Sequence, residues 1–123
     1  MTSRYPPVAL PDSEYARALQ ADCLALDGAW EDYPWGDIVF KVGAKMFAAT
    51  GASLPLRVTV KATKDDAAAL AGLPGVEPAR YIGRHGWVTI TVADAARLDL
   101  ARDLIVASHA LVAPRSHPRR GRR

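Results

Sequence analysis

Positive charge is concentrated in two segments of the chain that contain no carboxylate, residues 38–64 and 78–93. These segments contain seven cations, which are Lys41, Lys45, Arg57, Lys61, Lys64, Arg80 and Arg84. The rest of the chain up to Pro114 holds four arginines against all thirteen acidic residues, a net charge of −9. Because a summed charge distribution attracts ligands of opposite sign, this uneven distribution predicts a surface that binds anions such as phosphates.

Sequence motifs for catalysis are missing. The chain has no G-x-S-x-G, P-loop, H-E-x-x-H or C-x-x-C pattern. Cys23 falls on an apolar helical stripe, where a thiol normally packs and does not react. Ser108 and His109 are neighbours on a predicted helix and therefore point in directions about 100° apart, which does not favour a dyad. We expect neither an enzymatic activity nor a cofactor.

A group of acidic residues near the first predicted helix raises the question of a metal site. The group consists of Asp22, Asp27, Glu31, Asp32 and Asp37. Carboxylates of this kind could offer oxygen ligands to a hard cation, but no ligand spacing defines a site, and the three histidines are scattered. Helix ends and ion pairs explain these acids more simply, so we predict no metal.

The composition is that of one ordinary globular domain. With 123 residues, half of them apolar, the chain can bury a single core but is too short for two. No apolar run approaches the roughly 18 residues that span a bilayer, and the N-terminus has no apolar stretch typical of a secretion signal. Cys23 is the only cysteine, so no intrachain disulfide can form. These features predict a cytoplasmic protein without a membrane association.

The two ends of the chain differ in composition from the middle. Residues 1–11 are rich in proline and predict an irregular arm before a single domain that ends at residue 113. Residues 114–123 hold five arginines and lack apolar side chains, which predicts a disordered tail. The basic character of the whole chain comes from this tail, which is either a solubilising end or an aid to anion binding.

Hydrophobic periodicity predicts three helices and about five strands. The first helix follows Asp12 or Ser13 and ends near Gly28, and an ordered loop rich in turn residues and aromatics covers residues 28–37. The remaining predicted elements are strands at Ile38–Val42, Lys45–Ala49 and Leu56–Lys61, a helix at Thr63–Leu70, an extended piece around Ala79–Ile82, a strand at Trp87–Val92 and a helix at Ala95–Val112. This order predicts an α+β fold, a two-layer sandwich with an antiparallel sheet and helices on one face.

Alternation along two of these strands separates their side chains into two sets. The apolar residues of 56–60 and 88–92 share one face and should lie under the helices. Arg57, Thr59 and Lys61 then lie on the other face with Trp87, and Lys41 is expected to join them. An antiparallel sheet can leave such a face in water without any partner. An aromatic ring among cations is nevertheless what stacking recognition requires.

Five segments of the sequence resemble the MmcQ/YjbR-like family of small bacterial proteins. They are CLALDGAWEDYPWG at 23–36, VFKVGAKMFA at 39–48, VTVK at 58–61, WVTI at 87–90 and LIVASH at 104–109. The resemblance covers residues 12–112. Two departures are His109, where relatives commonly carry an aromatic residue, and a short loop between residues 48 and 56.

The resemblance implies an α-β-β-β-α-β-β-α domain similar to secretion chaperones. It also implies DNA binding through β-hairpin wings, a double-wing motif. The residues that would contact nucleic acid are Lys41, Lys45, Arg57, Lys61, Arg80, Arg84 and Trp87. No helix carries regularly spaced base-reading side chains, so non-specific DNA binding is the expectation.

A protein-binding role is the alternative. The open sheet face, or the aromatic cluster of Trp30, Tyr33 and Trp35 if it is exposed, could bind a peptide or form a homodimer. Core packing is the more common role of such a cluster around a proline, because large aromatic side chains bury much apolar area.

Overall fold

A computed structural model describes residues 1–114. The helices are α1 (Glu14–Leu24), α2 (Lys64–Leu70) and α3 (Ala95–Val112). The strands are β1 (Ala29–Asp32), β2 (Ile38–Val42), β3 (Lys45–Thr50), β4 (Arg57–Lys61), β5 (Val76–Pro78) and β6 (Trp87–Thr91), with single 3₁₀ turns at Pro34–Gly36 and Gly83–His85. The predicted tail falls beyond Pro114, outside the described residues. Between residues 1 and 114 no helix is long and apolar enough to cross a membrane.

Each helix begins where a short polar side chain satisfies a free backbone amide. Ser13 caps α1 by accepting from the Ala16 N–H at 3.2 Å, Thr63 caps α2, and Asp94 caps α3 by accepting from the Arg97 N–H at 2.8 Å. The buried residues of α3 recur every three or four positions, as in Ala101 and Ile105, so one stripe faces the core.

The six strands form one antiparallel sheet in the order β1-β2-β3-β4-β6-β5. One face packs against α1 and α3, and its core includes Phe47, Ile90 and Ile105, all fully buried. Among residues 1–114 no helix packs on the opposite face, which is called here the open face. The α+β fold class predicted from the sequence is confirmed.

A bulge in β3 adapts the sheet to α3. The register shifts between Phe40 and Lys41, so that Phe47 and Ala48 are consecutive residues buried on the same side. The Ser108 hydroxyl donates to the Phe47 carbonyl at 2.6 Å and accepts from the Lys61 N–H at 2.9 Å. This fully buried serine therefore satisfies backbone groups of two strands at once.

Three details differ from the sequence prediction. Residues 29–32, predicted as a loop, form the short edge strand β1. The prediction failed because this segment, which includes Trp30 and Asp32, lacks the apolar alternation typical of a strand. The extended piece lies at 76–78 and not around 79–82, and Pro78 is tolerated there because β5 is an edge strand. Leu111, predicted on the packed side of α3, is 48% exposed, and Val112 takes its place.

Candidate functional site

The central strands β4 and β6 position the polar residues of the open face. Their register places Arg57 opposite Thr91, Thr59 opposite Thr89 and Lys61 opposite Trp87. The two central threonine hydroxyls lie 2.9 Å apart and hydrogen-bond across the strands. Trp87 is half-buried and lies outside the apolar core. The alternation predicted from the sequence thus places an indole next to a lysine on an exposed surface.

A groove of about 390 Å³ crosses this face. Its apolar lining comes from Val39, Met46 and Ala49 of β2 and β3. On the other side it is lined by the segment after β5, which includes Arg80 and Ile82. This volume lies within the range of about 300–1,000 Å³ that is common for ligand sites.

The charges at the groove are mixed. Arg57 and Arg80 line it together with Asp37 and Glu77. The concentration of cations in the strand segments predicts a basic sheet with the acids elsewhere, and this is wrong for two residues: Asp37 immediately precedes β2, and Glu77 lies in β5, opposite Thr89. The groove can therefore offer both anion-binding and hydrogen-bond-accepting groups.

Three open-face cations have no carboxylate partner in the described part of the chain. The ion pairs found within residues 1–114 are Arg17–Asp12, Lys41–Asp32 and Arg102–Asp22. Arg57, Lys61 and Arg80 therefore have no acidic oxygen of these residues within 4.0 Å. They keep their charge available to an outside ligand.

Lys41, predicted as a ligand-binding residue, is already paired. Its Nζ lies 2.6 Å from Asp32 Oδ2 and 5.4 Å from the centre of the Trp30 ring. Asp32 is buried and also accepts hydrogen bonds from the Ser3 hydroxyl at 2.6 Å and the Tyr33 N–H at 3.0 Å. The hydrogen bond from Lys41, with those from Ser3 and Tyr33, holds the pKa of Asp32 below its usual value. Lys41 thus compensates a buried carboxylate.

Lys45 and Arg84 lie apart from the other predicted contacts. Lys45 pairs with Val42, whose side chain packs in the helix-covered core, so Lys45 belongs to that side of the sheet and lies near the C-terminal end of α3. The two-residue turn at Gly43–Ala44 fixes this pairing with Val42, and the prediction that grouped Lys45 with the other contact residues did not draw that consequence from the turn. Arg84 lies in the 3₁₀ turn before β6, with its Nε 3.2 Å from His85 Nε2.

Two exposed aromatic residues belong to chain segments next to the groove, and the sequence prediction assigned neither to the nucleic-acid site: Trp35 was considered only for peptide binding or dimerisation, and Tyr81 was missed. Trp35 is 87% exposed and Tyr81 is 86% exposed. Both adopt positive backbone φ angles, 56° and 67°, which residues other than glycine rarely adopt. The prediction favoured burial for the cluster around Pro34, but only Tyr33 packs against the core, while Trp30 donates to the Gly43 carbonyl at 2.8 Å. The only feature of the sequence that could have indicated an exposed turn at Trp35 is the glycine that follows it, Gly36.

Residues that might have supported catalysis are committed to structural contacts. Burial, aided by the negative charges of Asp22 and Glu31, raises the pKa of the Cys23 thiol to about 12. His109 hydrogen-bonds the Asp27 carbonyl at 2.8 Å and packs edge-on against Phe47. Across residues 1–114, no group of three or more His, Cys, Asp or Glu side chains is placed to hold a metal ion.

This arrangement defines a small α+β domain whose sheet is covered by helices on one side and carries a groove on the other. The chain belongs to the YjbR family, which it matches over residues 24–111. The predicted family is confirmed.

Two solved structures have a similar fold. A protein from Deinococcus radiodurans with a DUF419 domain aligns with a TM-score of 0.72 and 27% identity, over 78% of this chain and 76% of that chain. A protein from Pseudomonas syringae aligns with a TM-score of 0.63 over 78% of this chain and 97% of its own, and at 18% identity it shows the fold alone. None of the curated proteins matches the sequence.

Proposed function

We propose that this protein is a non-catalytic binding module that holds nucleic acid, without sequence specificity, on the open face of its sheet. The observation that carries the proposal is that Arg57 and Arg80 line the groove, that Lys61 lies on the same face of β4 as Arg57, and that all three lack carboxylate partners within residues 1–114. Cations of this kind neutralise phosphates and release condensed counterions. Trp87, opposite Lys61, adds a ring on which a base can stack.

The proposal excludes sequence specificity because the nucleic acid would contact the open face, on which no helix of residues 1–114 lies to read bases. The helices α1 and α3 pack on the opposite face, so the open face presents no recognition helix to a DNA groove. Phosphate contacts alone give dissociation constants of about 10⁻⁴ to 10⁻⁶ M near physiological salt, and the affinity falls steeply as the salt concentration rises. The proposal includes a cytoplasmic location, which is supported by the single buried thiol of Cys23.

The test is a titration of labelled single-stranded and duplex DNA at two salt concentrations. The protein is the full chain in which the tail arginines are replaced by glutamine, so that the sheet alone supplies the charge. These arginines are Arg115, Arg119, Arg120, Arg122 and Arg123. We expect Arg57→Ala, Lys61→Ala and Arg80→Ala each to weaken binding and to lower the salt slope by about 0.7–0.9.

Lys45→Ala and Lys64→Ala are matched controls, because each removes one exposed positive charge that lies away from the open face. They should leave affinity nearly unchanged. The proposal fails if the tail-substituted protein binds no DNA at low salt, or if the two controls weaken binding as much as the open-face substitutions do.

A peptide-binding role is the second candidate, and the apolar floor of the groove favours it. Val39, Met46 and Ala49 could receive an apolar side chain, while Asp37 and Glu77 would pair with basic residues of a partner. If the partner is a second copy of the chain, this binding would show as self-association in a mass measurement by light scattering. It would depend on salt much less than binding to DNA does.

A further inference from the structure

The two exposed aromatic residues are chain neighbours of residues that line opposite ends of the groove, although neither ring is part of the lining itself. Asp37, two residues after Trp35, lines the groove at β2, and Arg80 and Ile82, on either side of Tyr81, line it beyond β5. The distance from β2 to β5 is four strand spacings, or about 19 Å. A flexible ligand that runs the length of the groove would therefore reach the chain segments that carry both residues.

Neither ring contributes much to the packing of the domain, so the stability of the fold does not explain why these residues are aromatic. A positive φ disfavours any side chain with a Cβ atom, and in each case the surrounding structure holds an aromatic residue in this conformation while leaving it almost fully in solvent. The contacts that these rings make are slight. Tyr5 touches Trp35 edge-on at 5.7 Å between ring centres, and the Arg80 guanidinium lies 5.5 Å from the Tyr81 ring centre.

The hairpin connections are poorly shaped for entering a duplex. The β2–β3 connection is the two-residue turn Gly43–Ala44, which is too short to project as a wing. The β5–β6 connection lies alongside the sheet, since its residues 79, 80 and 82 line the groove together with Met46 and Ala49. A groove with an exposed aromatic residue in the chain segment next to each end fits a flexible strand whose bases are free.

We infer that the groove is a binding site for single-stranded nucleic acid, in which Trp35 and Tyr81 stack unpaired bases while Arg57 and Arg80 contact the phosphates between them. This inference rests on the proposed function and specifies its ligand. A single strand presents π-faces that every base offers, which agrees with the lack of specificity. The carboxylates Asp37 and Glu77 can accept hydrogen bonds from exocyclic amino groups, as acidic side chains do with cytosine.

The test compares three probes of equal strand length on the tail-substituted full chain. They are an oligothymidylate of about 12 nucleotides, within the usual span of single-strand sites, the same length of duplex, and an abasic oligonucleotide that keeps the phosphates but lacks bases. We expect the oligothymidylate to bind most tightly. Trp35→Ala and Tyr81→Ala should each weaken its binding by about 5- to 140-fold, the range that one stacked base represents, and leave the abasic affinity unchanged.

Val106→Ala is the matched control, because Val106 is also an exposed apolar residue but lies on α3, which packs on the other face of the sheet. It should change no affinity. If the abasic and thymidylate probes bind equally, or if duplex binds more tightly than single strand, the stacking site is disproved while nucleic-acid binding itself stands. If no probe binds, both the inference and the proposed function fall, and a mass from light scattering that rises with protein concentration would assign the groove to self-association.

Discussion

The two faces of the sheet differ in the burial and in the bonding partners of their polar and aromatic residues. On the helix-covered face, Phe47 is fully buried and the buried Ser108 hydroxyl has two backbone partners. On the open face, Arg57 and Lys61 have no acidic partner within residues 1–114, and in its connecting loops Trp35 and Tyr81 are exposed at unfavourable φ angles. Groups that stabilise the domain are paired, whereas groups available to a ligand are not.

The presence or absence of an acidic partner distinguishes residues of the same type that stabilise the fold from those that are available to a ligand. Lys41 and Lys61 both lie on the open side of the sheet, yet Lys41 forms an ion pair with the buried carboxylate of Asp32 and Lys61 has no such partner within residues 1–114. Substitution of the first should therefore change stability, and substitution of the second should change binding. The predictions below test this separation from the largest effect to the smallest.

Ser108→Ala should lower the free energy of unfolding by about 2–4 kcal/mol. The change leaves the Phe47 carbonyl and the Lys61 N–H without partners in a buried region, and each unsatisfied group costs about 1–3 kcal/mol. Urea denaturation followed by circular dichroism measures the change. A loss below about 0.5 kcal/mol, the size typical of surface substitutions, would show that α3 is not pinned to the bulge by this hydroxyl.

Lys41→Met should lower the free energy of unfolding by about 2–3 kcal/mol at pH 7. Removing one member of a buried ion pair typically costs about 3–5 kcal/mol, and the cost is reduced here because the lysine side chain is 23% exposed. The same denaturation experiment measures it, and DNA affinity should change little. Asp32→Asn in the Lys41→Met background should recover part of the loss.

The pH dependence gives an independent check of the same pair. The folded-state pKa of Asp32 is lowered, so its contribution is complete above the unfolded value of about 3.9 and is lost as pH falls through the folded value. The stability difference between the native protein and Lys41→Met should therefore shrink at acid pH. An equal difference at pH 7 and at pH 2.5 would contradict the role assigned to Lys41.

The sequence was sufficient to predict the parts of the fold that follow from periodicity. The apolar alternation of 56–60 and 88–92 correctly predicts that β4 and β6 share a buried face, and the capping residues Ser13, Thr63 and Asp94 correctly mark three helix starts. These signals are local, because each depends on residues a few positions apart. They place Arg57 and Lys61 on the open face with no knowledge of the partner strands.

The missing parts depend on contacts between distant segments. The Lys41–Asp32 pair forms because an edge strand without an apolar pattern folds back on β2, and the burial of that carboxylate involves Ser3 of the N-terminal arm. The direction of Lys45 depends on the turn that precedes it. The exposure of Trp35 and Tyr81 depends on positive φ angles set by the surrounding chain, which residue types do not indicate.

Thr59→Val should lower the free energy of unfolding by about 0.5 kcal/mol, within the range of about 0.2–1 kcal/mol for cross-strand pairs. The substitution removes a hydroxyl that bonds Thr89 at the half-exposed open face, where water can replace the lost partner. It is the counterpart of Ser108→Ala, since each deletes one hydroxyl that bonds the sheet, on the open face for Thr59 and from α3 on the covered face for Ser108. Equal losses for the two variants in urea denaturation would mean that the faces do not differ in the way described.

Tyr81→Gly should leave the free energy of unfolding within about 1 kcal/mol of the native value. Relief of the left-handed conformation gains about 1–2 kcal/mol, and it is offset by about 0.5–1 kcal/mol of backbone entropy and a similar loss of the exposed contact with Arg80. Binding of oligothymidylate should nevertheless weaken, because the stacking ring is gone. A residue kept for folding would show the reverse, with lower stability and unchanged affinity. A stable variant with impaired binding would instead show that the ring at this position serves the ligand.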